Sequence, residues 1–138
     1  MIVLDTNVVS EPLKPRPDAA VLRWLDRQAP ETLFLTTISQ GELLAGVLAL
    51  PAGKRRTELQ SVLQNELLSL FADRILVFGA RSAAAYAQVV RDASTAGNPI
   101  HFADAAIAAI AIEHRFMLAT RNARDFKGTS VQLLDPWS

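Results

Sequence analysis

Four short apolar runs constrain this chain more than any other feature: Ile2-Val-Leu4, Leu33-Phe-Leu-Thr36, Ile75-Leu-Val-Phe78 and Met117-Leu-Ala-Thr120. None of them alternates polar with apolar residues. A strand with one wet face shows that alternation, so continuous apolar runs of this length read as strands buried on both faces. A fifth candidate, Val131 to Leu134, precedes Pro136-Trp137. Helical patterns lie between the runs. A short helix around Val8 to Glu11 should stop near Pro12, because proline disfavours helical geometry in the residue before it. Asp18 is the expected N-cap of a second helix reaching about Gln28, with Val21, Leu22 and Leu25 inward. Further helices are expected over Thr37 to Leu50, from the basic cluster Lys54-Arg-Arg56 on to Phe71, and over Arg81 to Ala96, ended by Gly97. Phe102 to Ile112 follows, with Asp104 as its only charge. Strands alternating with helices predict an α/β fold with a mostly parallel central sheet flanked by helices.

At 138 residues the chain has the length of one domain, taken here as residues 1–138. Fourteen basic residues balance fourteen acidic ones, which excludes a generally basic nucleic-acid surface but not a local basic patch. The absence of cysteine excludes disulfides, thiolate metal sites and cysteine nucleophiles. No secretion leader is expected, because strand-like residues begin at position 2. The most apolar window, Ala105 to Ile112, is far short of a membrane span. A cytoplasmic protein with no membrane partner is the expectation.

The first run delivers Asp5 to the C-terminal end of its strand, where parallel α/β sheets hold their ligands. Asp5-Thr6-Asn7 would equally serve to end a strand and cap a helix. Glu42 opens the helix after the second strand, where Ser39-Gln-Gly-Glu42 has the spacing of a reciprocal capping box. Asp104 lies in the first turn of an almost wholly apolar helix; the helix dipole favours an acid there, but a buried carboxylate needs a partner. Asn122 and Asp125 follow the fourth strand. Each acid alone has a structural excuse, yet the loops bearing Asp5, Glu42, Asn122 and Asp125 meet at one edge of a parallel sheet, and Asp104 joins them if the N-terminus of its helix points to that edge.

Three or four carboxylates without matching Lys or His repel one another unless a cation sits among them. Hard oxygen donors without thiolate suit Mg²⁺ or Mn²⁺. Such ions activate water and offset the charge that develops on a phosphate, so the inferred chemistry is metal-dependent phosphodiester hydrolysis.

Leu4-Asp-Thr-Asn-Val8, Ile38-Ser-Gln-Gly-Glu-Leu43, Ala103-Asp-Ala-Ala-Ile-Ala108 and Ala119-Thr-Arg-Asn-Ala-Arg-Asp-Phe126 resemble the four signatures of the PIN-domain ribonucleases. The chain is similar, more narrowly, to the VapC/FitB-type toxins of bacterial toxin–antitoxin pairs. Ser10-Glu-Pro-Leu-Lys-Pro15 and the closing Asp135-Pro-Trp137 lean toward the FitB-like branch. The resemblance runs in order from Met1 to Trp137. It implies a PIN-like three-layer fold, Mg²⁺ or Mn²⁺ as cofactor, RNA as substrate, a homodimer, and a cognate DNA-binding antitoxin that covers the active site. It also implies roles: Asp5, Glu42 and Asp104 as the core acids, Asp5 and Asp104 as metal ligands, and Thr6, Asn7 and Thr120 as hydrogen-bonding supports. The fourth acid stays open. Some relatives place it at the position of Asn122, others at that of Asp125, which is taken here to orient the attacking water.

The expected RNA contacts are Lys54, Arg55 and Arg56, together with Arg121 and Arg124 beside the acids; a solvated helix face is the other reading of the first three. His101 and His114 are given surface or capping roles, and Trp24 and Trp137 core or interface roles. Two other functions compete. An aspartyl-phosphate phosphatase ordinarily carries a second acid two residues after the nucleophile, where this chain has Asn7. A catalytically silent PIN scaffold would act with its antitoxin only as a co-repressor.

Overall fold

The structure, a computed structural model, describes residues 1–138. Its centre is β1 (Ile2–Leu4), flanked by β2 (Leu33–Thr36) and β4 (Met117–Ala119), with β3 (Ile75–Leu76) and β5 (Leu133–Leu134) at the edges, in the order β3-β2-β1-β4-β5. The sheet expected to be mostly parallel is parallel in every pairing.

Period-two alternation divides the core between the two faces. Leu4 and Ala119, register partners, point to one face with Leu33 and Leu35. There they meet α1 (Thr6–Ser10), α2 (Ala19–Asp26), α3 (Thr37–Leu48) and α4 (Lys54–Val62), which runs through a π-helical turn, Leu63–Leu67, into α5 (Leu68–Leu70). Val3 and Leu118, also partners, point to the other face and meet α6 (Ala80–Thr95) and α7 (Phe102–His114). Helices on both faces give three layers, and explain why the strand sequences are continuously apolar. Ala105 through Ala111 of α7 are all fully buried. Its isoleucines, Ile107 and Ile110, each contribute roughly 1.5–3 kcal/mol by leaving water.

The edge strands are shorter than the sequence suggests, for a topological reason. β3 pairs with Leu35 and Thr36, and the next residue of β2's chain, Thr37, is already helical. Val77 and Phe78 therefore have no ladder partner, and Val77 is exposed. Val131 and Gln132 likewise precede β5 rather than belong to it; Val131 is buried as a core side chain. Asp18 caps α2 as expected, accepting from the Ala20 N–H at 2.8 Å.

The strand order reverses between β1 and β4: β2 and β3 lie on one side of β1, β4 and β5 on the other. That reversal opens a crevice beyond the C-terminal ends of β1 and β4. The residues that immediately follow those strands are Asp5 and Thr120.

Candidate active site

Asp5 is almost fully buried, at 5% exposure. Its backbone N–H continues the β1–β4 ladder by donating to the Ala119 carbonyl at 2.9 Å. One carboxylate oxygen caps α1 by accepting from the Thr6 N–H (2.8 Å), and the other accepts from the Thr120 hydroxyl (2.7 Å). The capping expected of Asp5 as an alternative to a site role is thus real, but it occupies only one oxygen. Burial is the main reason its carboxyl is held above the ordinary range. The two hydrogen bonds pull the other way, and the negative charges of Glu42 and Asp125 add to the rise.

Glu42 is placed differently from the sequence expectation. The N-cap of α3 is Thr36, whose hydroxyl accepts from the Ser39 N–H at 3.1 Å. Glu42 consequently lies in the second turn, not the first, and the capping-box explanation for it fails. Its Oε1 accepts instead from the Thr6 hydroxyl at 2.7 Å. That hydroxyl lies 2.9 Å from Ser39 Oγ. With one proton to give, Thr6 favours the charged acceptor, and the buried Ser39 donates to Thr6. The sequence shows Ser39 only at capping distance from Glu42; its contact with Thr6 is not legible there.

Asp104 does occupy the first turn of α7, as one alternative required. It also lies within electrostatic reach of the other acids. Its carboxyl is pushed up from 3.8 to about 6, first by burial, then by the charges of Asp5, Asp125 and Glu42, with His101 opposing. His101 is the N-cap residue of α7 by position, but its side chain makes no cap hydrogen bond.

Beyond β4, the Thr120 oxygen accepts from the Asn122 N–H at 3.1 Å, and Asn7 Oδ1 accepts from the Arg121 N–H at 3.4 Å. Ala123–Phe126 then forms a 3-10 turn in which the Asp125 N–H donates to the Asn122 carbonyl (3.0 Å). Asp125 forms no ion pair with Arg121 or Arg124, the surface alternative the sequence allowed. Its charge is felt instead at Asp5 and Asp104.

The basic candidates separate. Arg55 lines a cavity of about 370 Å³ that reaches Thr6 and Glu42 between α1, α3 and α4. Lys54 points to solvent and stands 3.8 Å from Glu58, and Arg56 does not line the cavity. Arg121 lies over the Trp137 ring, 5.2 Å from its centroid, and Arg124 is exposed. Sequence reading assigned nothing to Glu11 and Lys14. Glu11 is buried, forms an ion pair with Lys14 Nζ (2.7 Å) and accepts from the Asp18 N–H (3.1 Å). The Lys14 hydrogen bond is the main reason its carboxyl lies below the ordinary range. The i,i+3 spacing of this acid–base pair was visible in Ser10-Glu-Pro-Leu-Lys-Pro15.

No group of three or more His, Cys, Asp or Glu side chains forms a ready-made metal cage. The donor set nevertheless fits a hard divalent cation: carboxylates only, two of them raised first by burial and then by neighbouring negative charge, and none paired with Lys or Arg. Mg²⁺ keeps most of its waters and needs only one or two carboxylates, so a full cage is not required.

The PIN domain family model matches residues 2–131. VapC ribonuclease Y4jK of Sinorhizobium fredii is 47% identical over 137 residues, covering 99% of this chain and 98% of that protein. Toxin FitB of Neisseria gonorrhoeae is 44% identical over 137 residues and covers 99% of both chains. The solved structure of FitAB bound to an IR36 DNA fragment superposes with a TM-score of 0.97 at 42% identity, covering 100% of this chain and 96% of that one. Four acids at a strand-order reversal, in a three-layer parallel fold shared with these relatives over nearly its full length, identify the chain as a member of the PIN-domain family, in its VapC/FitB group of toxins.

Proposed function

We propose that this protein is a metal-dependent endoribonuclease, the toxin of a type II toxin–antitoxin pair. One observation carries the reading: Asp5, Glu42, Asp104 and Asp125 arrive from four separate elements, the charges of Glu42 and Asp125 help to raise the carboxyls of Asp5 and Asp104, and none of the four is paired with Lys or Arg. Asp5 and Asp104 are the residues to hold Mg²⁺ or Mn²⁺, with Glu42 completing the negative rim. Bound there, such an ion supplies activation of water and compensation of the charge that develops on the phosphate.

The chain's own residues do the rest. Thr120 and the Thr6 N–H hold the Asp5 carboxylate in one orientation, while the Thr6 hydroxyl does the same for Glu42. Asp125, free of any ion pair, accepts a hydrogen bond from the attacking water and aims it in line with the scissile bond. Arg55 and Arg121 are the residues to meet the RNA backbone, and the Asn7 side chain secures the backbone at Arg121. The relatives extend the reading to partners, for one is named a ribonuclease and another is solved as FitAB on DNA. By the same analogy the protein works in the cytoplasm as a homodimer, neutralised by a DNA-binding antitoxin. No helix is long and apolar enough to cross a membrane.

The test is RNA cleavage by the purified chain with and without Mn²⁺, beside Asp5→Asn and Asp104→Asn. Both substitutions keep volume while removing charge from a self-repelling cluster, so cleavage should disappear while the fold survives. Mn²⁺ should raise the melting temperature of the wild type and do much less for Asp5→Asn, because only an intact cluster links binding to folding. Cleavage that persists in chelator and in both variants would remove the proposal. Antitoxin binding without any cleavage would leave the silent co-repressor.

A further inference from the structure

The loop that carries Asp125 is held in place from outside its own strand. Helix α6 ends in a Schellman motif: Gly97 adopts φ +75°, its N–H donates to the Ser94 carbonyl (3.0 Å), and the Asn98 N–H donates to the Ala93 carbonyl (2.9 Å). Glycine suits the left-handed position because no Cβ opposes it. The motif anchors the Asn98 backbone to the end of a long helix, so its side chain starts from a fixed point.

That side chain faces three carbonyls of one turn: Arg124 O at 3.2 Å, Lys127 O at 3.3 Å and Asp125 O at 3.5 Å from Nδ2. Three acceptors require the amide to present its nitrogen, whose two protons serve the nearer two, with the third at the margin. None of these carbonyls is used by a sheet. A second contact reinforces the first. Gly128, at φ +91°, lies so close to α6 that an added Cβ would fall 2.4 Å from Ala96 Cβ and 3.3 Å from the Asp92 carbonyl. The same connection continues through Pro99 and Ile100 into His101 and α7, which carries Asp104. Residues 96–101 therefore grip the Asp125 turn on one side and launch the Asp104 helix on the other.

We propose that Asn98 is a positioning residue for catalysis: it sets where Asp125 stands relative to Asp104. This rests on the role given to Asp125 above. Asn98 touches neither substrate nor any reacting atom, and acts only through the turn it holds.

Asn98→Ala is the test, with Asn98→Ser, which keeps one donor, as the second variant should the first not fold. Hydrogen exchange reads the tether itself, through the amides of Asp125, Lys127 and Thr129, each bonded within the turn. These should exchange faster in Asn98→Ala, while amides of α7 and the sheet keep their protection. In steady-state cleavage kcat should fall about fivefold or more with KM little changed, since displacing a catalytic group costs rate rather than binding. The double variant Asn98→Ala/Asp125→Ala should be no slower than Asp125→Ala alone. Unchanged exchange in the turn would overturn the tether. Faster exchange with wild-type kcat, or losses that multiply in the double variant, would overturn the positioning role while leaving Asp125 in its own. Full activity in Asp125→Ala would remove both.

Discussion

The Thr120 hydroxyl donates to Asp5 Oδ2 at 2.7 Å across 115 residues of sequence, joining the ends of β4 and β1 where the strand order reverses. Both residues are buried, so no water substitutes for the bond. The same oxygen accepts from the Asn122 N–H, which ties the Asp5 carboxylate to the turn bearing Asp125.

Thr120→Val keeps the shape and removes the donor, leaving a buried carboxylate oxygen unsatisfied at a cost of about 1–3 kcal/mol. The expected result is a lower melting temperature and a cleavage rate reduced roughly tenfold, about 1.4 kcal/mol of barrier. Thr120→Ser should restore most of both. Steady-state cleavage and thermal melts of the three proteins decide it; a valine variant with wild-type rate would detach Thr120 from the site.

The contribution of Asp104 to stability in metal-free buffer should fall as pH rises from 4 toward 7. The folded Asp104 carboxyl is raised from 3.8 to about 6, so the folded state holds the proton more tightly than the unfolded chain. Such a group favours folding below its unfolded value and loses that contribution as pH climbs through its folded one. Asp5, raised in the same direction, adds to the slope. Asp104→Asn should melt higher than wild type at pH 7, by a few degrees, and the gap should close near pH 4. Melts in chelator across this range test it; a gap independent of pH would mean that Asp104 does not titrate as part of the cluster.

The basic cluster before α4 should not act as a unit. Arg55 lines the cavity next to Glu42, whereas Lys54 faces solvent near Glu58. Arg55→Glu should weaken RNA binding and flatten its salt dependence, each lost phosphate contact on single-stranded RNA removing about 0.7 of log–log slope. Lys54→Glu should change neither. Equal effects at both positions would return the cluster to a diffuse electrostatic role.

Asp125 rather than Asn122 should carry the fourth function. Asp125 is unpaired and electrostatically felt by Asp5 and Asp104, while Asn122 contributes a backbone N–H that any residue but proline supplies. Asp125→Ala should lower turnover at least tenfold, about 1.4 kcal/mol, and Asn122→Ala much less. Parallel single-turnover assays settle it, and the reverse order of losses would exchange the two roles.

Much of this was readable from the chain alone. The continuous apolar runs announced a sheet covered on both faces, and β1 through β4 lie where those runs lie. Asp5, Glu42, Asp104 and Asp125 stood out only as a set: each alone has a structural excuse, but their order along a strand–helix alternation points them to one edge of a parallel sheet. The lengths of β3 and β5 were not readable, because an edge strand ends where its neighbour stops offering a ladder, and that is a property of β2 and β4.

The tertiary structure alone decided how the acids are held. Local spacing made Ser39 and Glu42 look like a cap; the actual cap is Thr36, and Glu42 is held by Thr6, 36 residues away. Thr120 on Asp5, and Asn98 on the turn of Asp125, are likewise bonds between distant segments. Hydrophobic periodicity encodes which face of an element is buried, and capping encodes where an element begins, so both survive in one dimension. A hydrogen bond between loops depends on strand order and register, which exist only once the sheet has formed.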